Sequence, residues 1–463
     1  MCEVSIMKMK ILLPAFLISM GCSSTSPSRL PSGGQTDGMI LKQETVSLTG
    51  PFAVNRIQFK NGLRLLVVED HSSPTFAYQT WFKVGSRNEV PGKTGLAHLF
   101  EHMMFKETKT MKDGEFDRLL ESSGAEGENA FTSRDYTAYI QELPSTQIEL
   151  IVKAESDRMT NVIVNDQSFK TEREVVQNER RFRNENSPDG IMDQNLFELA
   201  FNQHPYHWPV IGYQNDLDSM SAQDASKFYK TYYAPNHATI VVVGDVKTEE
   251  VTSLIQKHYG SLPSQPTPQR LQIAEAIQTD PRKKQLVLNI QLEKLLIGYK
   301  IPGFAHEDMP ALDVLQSLLT GGKNNRLREA LVETGIAGSV GAYDFEDRDP
   351  SLFVIMVNLQ KGKKAKEAER VILHQLQQLA HGLVPAEELQ RAKNKSRYGF
   401  YKGLESNYQK AYFLGAYESL ADHFSAGLEH EKKVEAVSAQ DVLRVVQRYF
   451  KPNSRTVITG VRK

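Results

Sequence analysis

Cysteine is nearly absent from this chain, and its scarcity excludes two classes of structure. The 463 residues include only Cys2 and Cys22, so no cysteine occurs after position 22. A disulfide framework and a cysteine-ligated zinc finger are therefore excluded for the main part of the chain.

A charge bias of one sign is also missing. The 55 Lys and Arg residues are balanced by 56 Asp and Glu residues, which leaves a net charge of −1. The sequence has no basic run with interleaved aromatic residues and no glycine-rich phosphate loop. Because no global field attracts polyanions, we expect no nucleic-acid partner. Hydrophobic and charged contents of 40% and 24% are typical of a soluble globular protein, and the length favours two domains.

The apolar stretch near the N-terminus, residues 11–18, is too short to cross a bilayer. It follows two lysines and ends in small residues, which is the composition of an export signal. The Gly21-Cys22 pair resembles a bacterial lipoprotein cleavage site. We therefore interpret residues 1–22 as the signal and Cys22 as the lipidated residue. The alternative is a cleaved signal without a lipid.

Residues 23–45 are rich in Ser, Pro, Gly and Thr and are predicted to form a flexible tether. A lipid on one cysteine followed by a tether anchors a protein to a membrane without spanning it. The serine after Cys22 resembles lipoproteins that are sorted to the outer membrane. We therefore expect an exported chain in the periplasm of a Gram-negative bacterium, in contact with the outer membrane only through this anchor.

The second half of the sequence repeats part of the first half at a separation of 217 residues. The tetrapeptide SAQD occurs at 221–224 and 438–441, and YYAPN at 232–236 corresponds to YFKPN at 449–453. Both copies continue into β-branched runs. Each copy predicts a serine-capped helix, a Pro-Asn turn and a buried strand. A match in register at this distance indicates a duplicated domain rather than a solenoid.

The duplication, together with the mixture of strands and longer helical segments, predicts an α+β fold. We expect two duplicated α/β-roll domains, each a mostly antiparallel sheet with helices on one face. The N-terminal domain is predicted at residues 46–262 and the C-terminal domain at residues 286–463. Residues 263–285, which begin with a proline-rich polar run, are predicted to link the two domains.

The main candidate for chemistry is the pattern H-x-x-E-H, formed by His98, Glu101 and His102. On a helix these three side chains share one face. Two imidazoles suit zinc, and an adjacent carboxylate can take a proton from an activated water. The order is the inverse of the H-E-x-x-H pattern of zinc peptidases. The second copy could not bind a metal in this way. Its residues near these places are Val314, Ser317 and Leu318.

A catalytic zinc ion usually takes three protein ligands and leaves one position for water. The helical pattern at residues 170–181 offers carboxylates for the third ligand. Glu172 and Glu179 are seven residues apart and share a face, whereas Glu174 points to another side. The spacing alone leaves Glu172 and Glu179 open as candidates.

Six short sequence runs, in addition to the H-x-x-E-H pattern, resemble those of a known protein family. They are GSRNE at 85–89, GKTGLAH at 92–98, NAFTSR at 129–134, EREVVQNE at 172–179, HPY at 204–206 and PVIG at 209–212. From about residue 50 to the C-terminus, the chain resembles the pitrilysin/insulinase/mitochondrial-processing-peptidase family of zinc metallopeptidases, in its two-domain form. The resemblance implies an endopeptidase that holds one Zn²⁺ per chain and hydrolyses extended or unfolded peptides.

The resemblance also implies roles for individual residues. Glu179 follows His102 by 77 residues, which is the family's spacing for its last metal ligand. The implied metal ligands are therefore His98, His102 and Glu179. Glu101 matches the family's general base. Glu172 matches a second glutamate that supports the catalytic site.

Asn129 and Ala130 match an edge strand that resembles the family's substrate-pairing strand. The resemblance implies that an extended peptide would add to this sheet edge through main-chain hydrogen bonds.

One family feature is missing from this chain. Members with a complete site carry an arginine and a tyrosine in the second half, and the corresponding places here hold Leu331 and Gly338. Arg326, Arg328 and Tyr343 are nearby but out of register. We therefore expect a heterodimer with a paralogue that supplies the Arg/Tyr pair. The alternative is a homodimer or a monomer with weak or rerouted catalysis. The alternative function is a non-catalytic scaffold or chaperone-like subunit of the same fold.

Overall fold

Two sheets, each packed between helices, bury most of the apolar residues. The computed structural model describes residues 39–269 and 273–463. The predicted signal, the lipidation site Cys22 and the predicted tether as far as residue 38 lie outside the described residues. Within the described ranges, no helix combines the length and the apolar character needed to cross a membrane.

Seven strands of the first half form one sheet. They are β1 (Ile40–Ser47), β2 (Ala53–Phe59), β3 (Arg64–Glu69), β4 (Thr75–Phe82), β5 (Glu126–Thr132), β6 (Thr137–Pro144) and β7 (Ala238–Gly244). Their order is β1-β2-β3-β7-β4-β6-β5, and all neighbours are antiparallel except β3 and β7. All seven residues of β7 are buried, because β7 lies in the middle of a sheet that is covered on both faces.

Five strands of the second half form the other sheet. They are β8 (Arg282–Leu288), β9 (Lys294–Ile301), β10 (Ala337–Asp344), β11 (Ser351–Leu359) and β12 (Arg455–Arg462). The order is β8-β12-β9-β11-β10, in which only β8 and β12 are parallel. This order reproduces β3-β7-β4-β6-β5 of the first sheet, including its single parallel pair. The predicted α+β class with a duplicated unit is therefore confirmed.

The strands are connected by helices and short turns. The α-helices are α1 (Leu96–Met103), α2 (Glu115–Ser122), α3 (Ile148–Asn161), α4 (Asp166–Arg180), α5 (Pro188–Ala200), α6 (Gln214–Ser219), α7 (Ala222–Tyr232), α8 (Thr248–Tyr259), α9 (Met309–Thr320), α10 (Ala365–His381), α11 (Ala386–Lys402), α12 (Asn407–Ala421), α13 (Ser425–Ala436) and α14 (Ala439–Tyr449). Short 3₁₀ turns occur at Ser86–Asn88, Ser145–Gln147, Pro205–His207, Pro235–His237 and Pro452–Ser454. Two π-helical turns lie at Arg181–Glu185 and Arg328–Val332.

The repeated tetrapeptide has the same structure in both copies. Ser221 precedes α7 and Ser438 precedes α14, and each hydroxyl accepts a hydrogen bond from the backbone N–H of the aspartate three residues later, at 3.3 and 3.2 Å. The carboxylates of Asp224 and Asp441 accept hydrogen bonds from the serine N–H groups at 2.9 and 3.0 Å. These reciprocal bonds form capping boxes. The serine-capped helices predicted from the repeat are confirmed.

Each sheet carries helices of its own half on one face and one helix of the other half on the opposite face. The helix α12, from the second half, packs Leu414 into a cluster with Val241 of the first sheet. The helix α5, from the first half, packs Leu196 into a cluster with Ile458 of the second sheet. The sequence predicted helices on one face of each sheet. It did not predict that a helix of the other half covers the opposite face.

Two buried ion pairs attach α12 to the first half. Lys410 Nζ lies 2.6 Å from Asp70 Oδ2, and Glu418 Oε1 lies 2.8 Å from an Nη atom of Arg56. Because breaking a buried pair leaves an uncompensated charge, these contacts fix the position of α12 against the first sheet.

Gly415 allows α12 to lie close to the first sheet. A methyl group at Gly415 would overlap the indole of Trp81, which is fully buried. We expect Gly415→Ala to lower the free energy of unfolding by about 1–3 kcal/mol, measured by chemical denaturation. Gly399 on α11 has open space around the same added methyl. The control Gly399→Ala should therefore raise the free energy of unfolding by about 0.5–1 kcal/mol. Equal effects in the two variants would contradict the close contact with Trp81.

Two predicted boundaries were wrong. The strand β1 begins at Ile40, so residues 40–45, predicted as the end of the tether, belong to the first sheet. The strand β8 begins at Arg282, so residues 282–285, predicted as the end of the linker, belong to the second sheet. Both are edge strands whose side chains are mostly exposed. Their polar composition therefore resembles that of a linker, although their backbones are paired.

Candidate metal centre

A buried carboxylate positions the helix α1. Gly95 precedes this helix with φ of 89°, in the left-handed region that favours glycine. Glu89 accepts hydrogen bonds from the backbone N–H groups of Gly95 at 2.9 Å and Ala97 at 2.8 Å. These bonds satisfy donors of the first helical turn that would otherwise lack partners. Glu89 belongs to the GSRNE run, but no sequence pattern indicated this role.

The structure brings three predicted ligands together. His98 and His102 lie on α1, and Glu179 lies on α4, which packs against α1. Glu179 Oε2 is 3.3 Å from His102 Nε2 and 3.8 Å from His98 Nε2. One ligand atom of each residue lies within 4.8 Å of the other two. Zinc–ligand bonds of about 2.0–2.2 Å place ligand atoms roughly 3–4 Å apart, so the set fits a single zinc ion with one position left over.

Glu172 occupies a different place from Glu179. Its Oε2 is 3.5 Å from Nδ1 of His102, the ring nitrogen that does not approach Glu179, and its Oε1 is 2.9 Å from Lys106 Nζ. A carboxylate on the second nitrogen of a metal-binding histidine fixes the ring orientation and makes the imidazole a stronger ligand. The geometry therefore separates the two candidates that the spacing left open. Glu179 faces both imidazoles, and Glu172 supports His102.

Glu101 is buried beside the two histidines, with 7% of its surface exposed. The Thr132 hydroxyl donates a hydrogen bond to Glu101 Oε2 at 2.5 Å. Burial raises the pKa of Glu101 to about 7, although this hydrogen bond acts in the opposite direction. A carboxyl group with a pKa near neutrality can both accept and release a proton, as a general base must.

The two histidines have opposite electrostatic surroundings. Burial and the neighbouring charge of His102 lower the pKa of His98 to about 4. Burial also disfavours charge on His102, but hydrogen bonds with Glu172 and Glu179 outweigh it and raise the pKa of His102 to about 9. At neutral pH His98 therefore offers a free lone pair, whereas a metal ion must displace a proton from His102.

These side chains line an open cavity of about 800 Å³ beside β5. The strand β5 lies at the edge of the first sheet, and among the described residues it pairs with β6 alone. Asn129 and Ala130 lie on β5 and also line the cavity. An edge strand has one unpaired side, so its backbone is available to an added extended segment.

The places that correspond to the family's Arg/Tyr pair lie in the second half. Leu331 is buried in the core there, and Gly338 lies on β10. Arg326 donates two hydrogen bonds to Glu388, at 2.6 and 2.7 Å, and Arg328 pairs with a neighbouring glutamate at 3.0 Å. The described lining of the 800 Å³ cavity comes entirely from the first half.

Three further residues support the site and were missed from the sequence: Lys106, Thr132 and Arg183. An Nη atom of Arg183 lies 2.9 Å from Glu179 Oε1. The sequence could have indicated this ion pair, because Glu179 and Arg183 are four residues apart and α4 continues into the π-helical turn that holds Arg183. Thr132 reaches Glu101 from a strand, and Lys106 reaches Glu172 from the loop after α1, so only tertiary packing brings them to the site.

Comparison with known proteins gives the relatives of this chain. The family description Insulinase (Peptidase family M16) matches residues 64–213, and Peptidase M16 inactive domain matches residues 219–396. The zinc protease PqqE of Helicobacter pylori is 31% identical over 98% of both sequences. The crystal structure of a protease from Helicobacter pylori is 32% identical, with a TM-score of 0.83 over 91% of this chain and 99% of that chain.

A more distant structure shows the same fold. A peptidase M16 inactive domain from Pseudomonas fluorescens is 16% identical, with a TM-score of 0.80 over 89% of this chain and 98% of that chain. The match of residues 219–396, which include most of the second half, to an inactive-domain description agrees with the absence of H-x-x-E-H from the second copy. The resemblance seen in the sequence is confirmed by the family matches in both halves and by the full-length relative, and the chain belongs to the insulinase family of peptidases, family M16.

Proposed function

We propose that this chain is a zinc-dependent endopeptidase that hydrolyses extended or unfolded peptides. The observation that carries the proposal is the meeting of His98, His102 and Glu179 beside the buried Glu101 in one open cavity. The name of the Helicobacter pylori relative, a zinc protease, supports the same class of reaction.

In this mechanism His98, His102 and Glu179 hold the zinc ion. When bound, zinc supplies a Lewis acid that polarises a peptide carbonyl and makes a water molecule more acidic. Glu101 takes a proton from the attacking water and passes it to the leaving amine. The Thr132 hydroxyl holds one oxygen of Glu101 in place, which leaves the other oxygen for proton transfer.

The substrate range follows from the edge strand. An extended peptide pairs with the free side of β5 near Asn129 and Ala130 and thereby crosses the cavity that contains Glu101. A folded protein has its strands already paired and offers no such segment. The enzyme therefore prefers unfolded chains.

A second chain completes the site in this proposal. Leu331 and Gly338 stand where related sites carry an arginine and a tyrosine, and the arginines near them are paired with glutamates of the second half. A paralogous partner that carries the Arg/Tyr pair would supply the missing groups. A homodimer is the second candidate, and a non-catalytic scaffold is the competing function.

One experiment separates these possibilities. We expect the purified chain to retain Zn²⁺. Together, the chain and its paralogue should cleave an unstructured fluorogenic peptide. This cleavage should stop when a chelator removes the zinc and resume when zinc is added back. The same peptide sequence inside a stable folded domain should be cleaved roughly 10³-fold more slowly, because only its rare unfolded form is a substrate.

The outcomes are distinct. A chain that retains no zinc and cleaves nothing, alone or with the paralogue, would support the scaffold. Full activity of the chain alone would remove the paralogue from the mechanism and leave the zinc peptidase in place, with light scattering to distinguish a monomer from a homodimer.

We also propose that the chain acts in the periplasm as a lipoprotein attached through Cys22. The support for this location is the sequence of residues 1–22, with its lysines, short apolar stretch and Gly21-Cys22 pair.

A further inference from the structure

The second half contains a cavity that is the counterpart of the metal centre in the first half. It has a volume of about 550 Å³ and is lined by residues of α9, β10, α11 and α13. In the duplicated topology, α9 corresponds to α1 and the edge strand β10 corresponds to the edge strand β5. The scaffold therefore leaves the same kind of space in both halves, although the second half has no H-x-x-E-H pattern.

Three side chains in this second cavity converge as ligands would. Asp313 lies on α9, Glu346 follows β10, and His430 lies on α13. One nitrogen or oxygen atom of each lies within 4.8 Å of the other two, the same limit that holds for His98, His102 and Glu179. Since the three residues come from separate elements, tertiary packing and not local spacing creates the cluster.

Neighbouring side chains hold two of these residues in place. The Asp313 carboxylate is hydrogen-bonded to His430 Nε2. The ring of Phe304 stacks on the His430 imidazole, with 5.2 Å between centroids and 28° between planes. The Tyr417 hydroxyl donates a hydrogen bond to Glu346 Oε2 at 2.9 Å. Glu346 is itself exposed and offers a route from solvent.

The cavity is lined by more acidic than basic side chains. Besides Asp313 and Glu346, its lining includes Asp344 and Glu431, against a single lysine, Lys395. Within the described chain no ion pair joins Lys395 to any of these four carboxylates. The Oδ2 atom of Asp344 and the Oε1 atom of Glu431 are buried and accept no hydrogen bond from an N–H or hydroxyl group of another described residue. The Asp344 carboxyl lies against the carboxyl of Asp313. Buried carboxylates without partners are unfavourable unless a proton or a cation neutralises them.

We propose that Asp313, Glu346 and His430 bind a divalent transition-metal ion at a second site in this chain. Two carboxylates and one imidazole are a donor set suited to Mn²⁺ or Zn²⁺. The bound ion would join α13 to α9 and to the segment after β10, and it would be close enough to neutralise Asp344. This site is independent of the peptidase proposal, because none of its residues lines the cavity of His98 and Glu101.

The direct test is the number of metal ions per chain. The full chain is first loaded with Zn²⁺, then incubated with excess Mn²⁺ or excess Zn²⁺, desalted and measured by elemental analysis. We expect two ions per chain, of which one depends on Glu179. A count of one ion with both metals in the wild type, falling to none in Glu179→Gln, would overturn the proposal and show that protons alone neutralise the second cavity.

Two variants assign the second ion to the cluster. Asp313→Asn and His430→Gln should each reduce the count from two ions to one and abolish the rise in melting temperature that Mn²⁺ gives to the zinc-loaded chain. His374→Gln, at an exposed histidine of α10, is the matched control and should retain two ions. Two ions in folded Asp313→Asn and His430→Gln would place the second ion elsewhere and overturn the assignment.

The position of the second ion can be determined in the wild-type chain, so this test does not depend on the folding of any variant. Crystals of the wild-type chain soaked in Mn²⁺ should give an anomalous peak between Asp313, Glu346 and His430. A peak only at His98, His102 and Glu179 would contradict the second site, whether or not the chain proves to be a peptidase.

Discussion

Replacing Glu101 by glutamine is expected to lower kcat for peptide cleavage by about 10²–10⁴-fold while zinc remains bound. Glutamine keeps the shape of the side chain and can still accept the hydrogen bond from Thr132, but it cannot take a proton from water. Glu101 is not one of the three converging ligands, so its charge is not needed to hold the ion. The measurement is steady-state hydrolysis of an unstructured peptide, with zinc content determined on the same samples.

The control for this variant is Glu174→Gln. Glu174 lies on α4 and is exposed, so its replacement changes the net charge equally without touching the cavity. We expect its kcat to equal that of the wild type. An unchanged kcat in Glu101→Gln would remove Glu101 as the base, and parallel loss of zinc and activity would show that Glu101 acts through metal binding instead.

Replacing Glu179 by glutamine is expected to weaken zinc binding by more than about 100-fold. Changes to groups that only support a ligand typically reduce metal affinity by about 10–100-fold, and the loss of a charged ligand should exceed that range. Chelator competition on the metal-loaded chain measures the affinity of the ion that His98 and His102 share with Glu179.

The helix α4 supplies a graded series for this measurement. Glu172→Gln should reduce the affinity by about 10–100-fold, because Glu172 contacts His102 Nδ1 and not the ligand side of the ring. Glu174→Gln should leave the affinity unchanged. If Glu172→Gln weakened zinc binding more than Glu179→Gln, the roles of ligand and supporting carboxylate would have to be exchanged.

Local patterns explain why part of the site was predictable. His98, Glu101 and His102 lie within five residues on one helix, so their common face follows from helical spacing. Glu179 lies on another helix and could be selected only through the family's spacing, since Glu172 satisfies the same local pattern.

The support around the site was not predictable, because it depends on contacts between distant segments. Thr132 meets Glu101 across 31 positions of sequence, and Glu89 fixes the start of α1 by binding backbone N–H groups. Because the partners of Glu89 are backbone groups and not side chains, no pattern of residue types could reveal them.

The fold, like the site, was predictable only in part. The repeat at residues 221–224 and 438–441 predicted the duplication, and the two sheets share one strand order. The edge strands β1 and β8 were assigned in part to a tether and a linker, because polar residues on an exposed strand carry no alternating apolar signal. No local sequence pattern predicted that a helix of the other half covers each sheet.

The exchange of α5 and α12 between the two halves has a consequence for the origin of this chain. An ancestral protein with one copy of the unit would have had one sheet face left uncovered by its own helices. Two identical ancestral chains could cover that face by exchanging the helix about a two-fold axis, which makes a closed symmetric pair. Gene fusion would then join the two subunits through a linker, and each subunit would afterwards be free to diverge. In this history the chain is a fused dimer, and its single H-x-x-E-H pattern records the loss of the original symmetry.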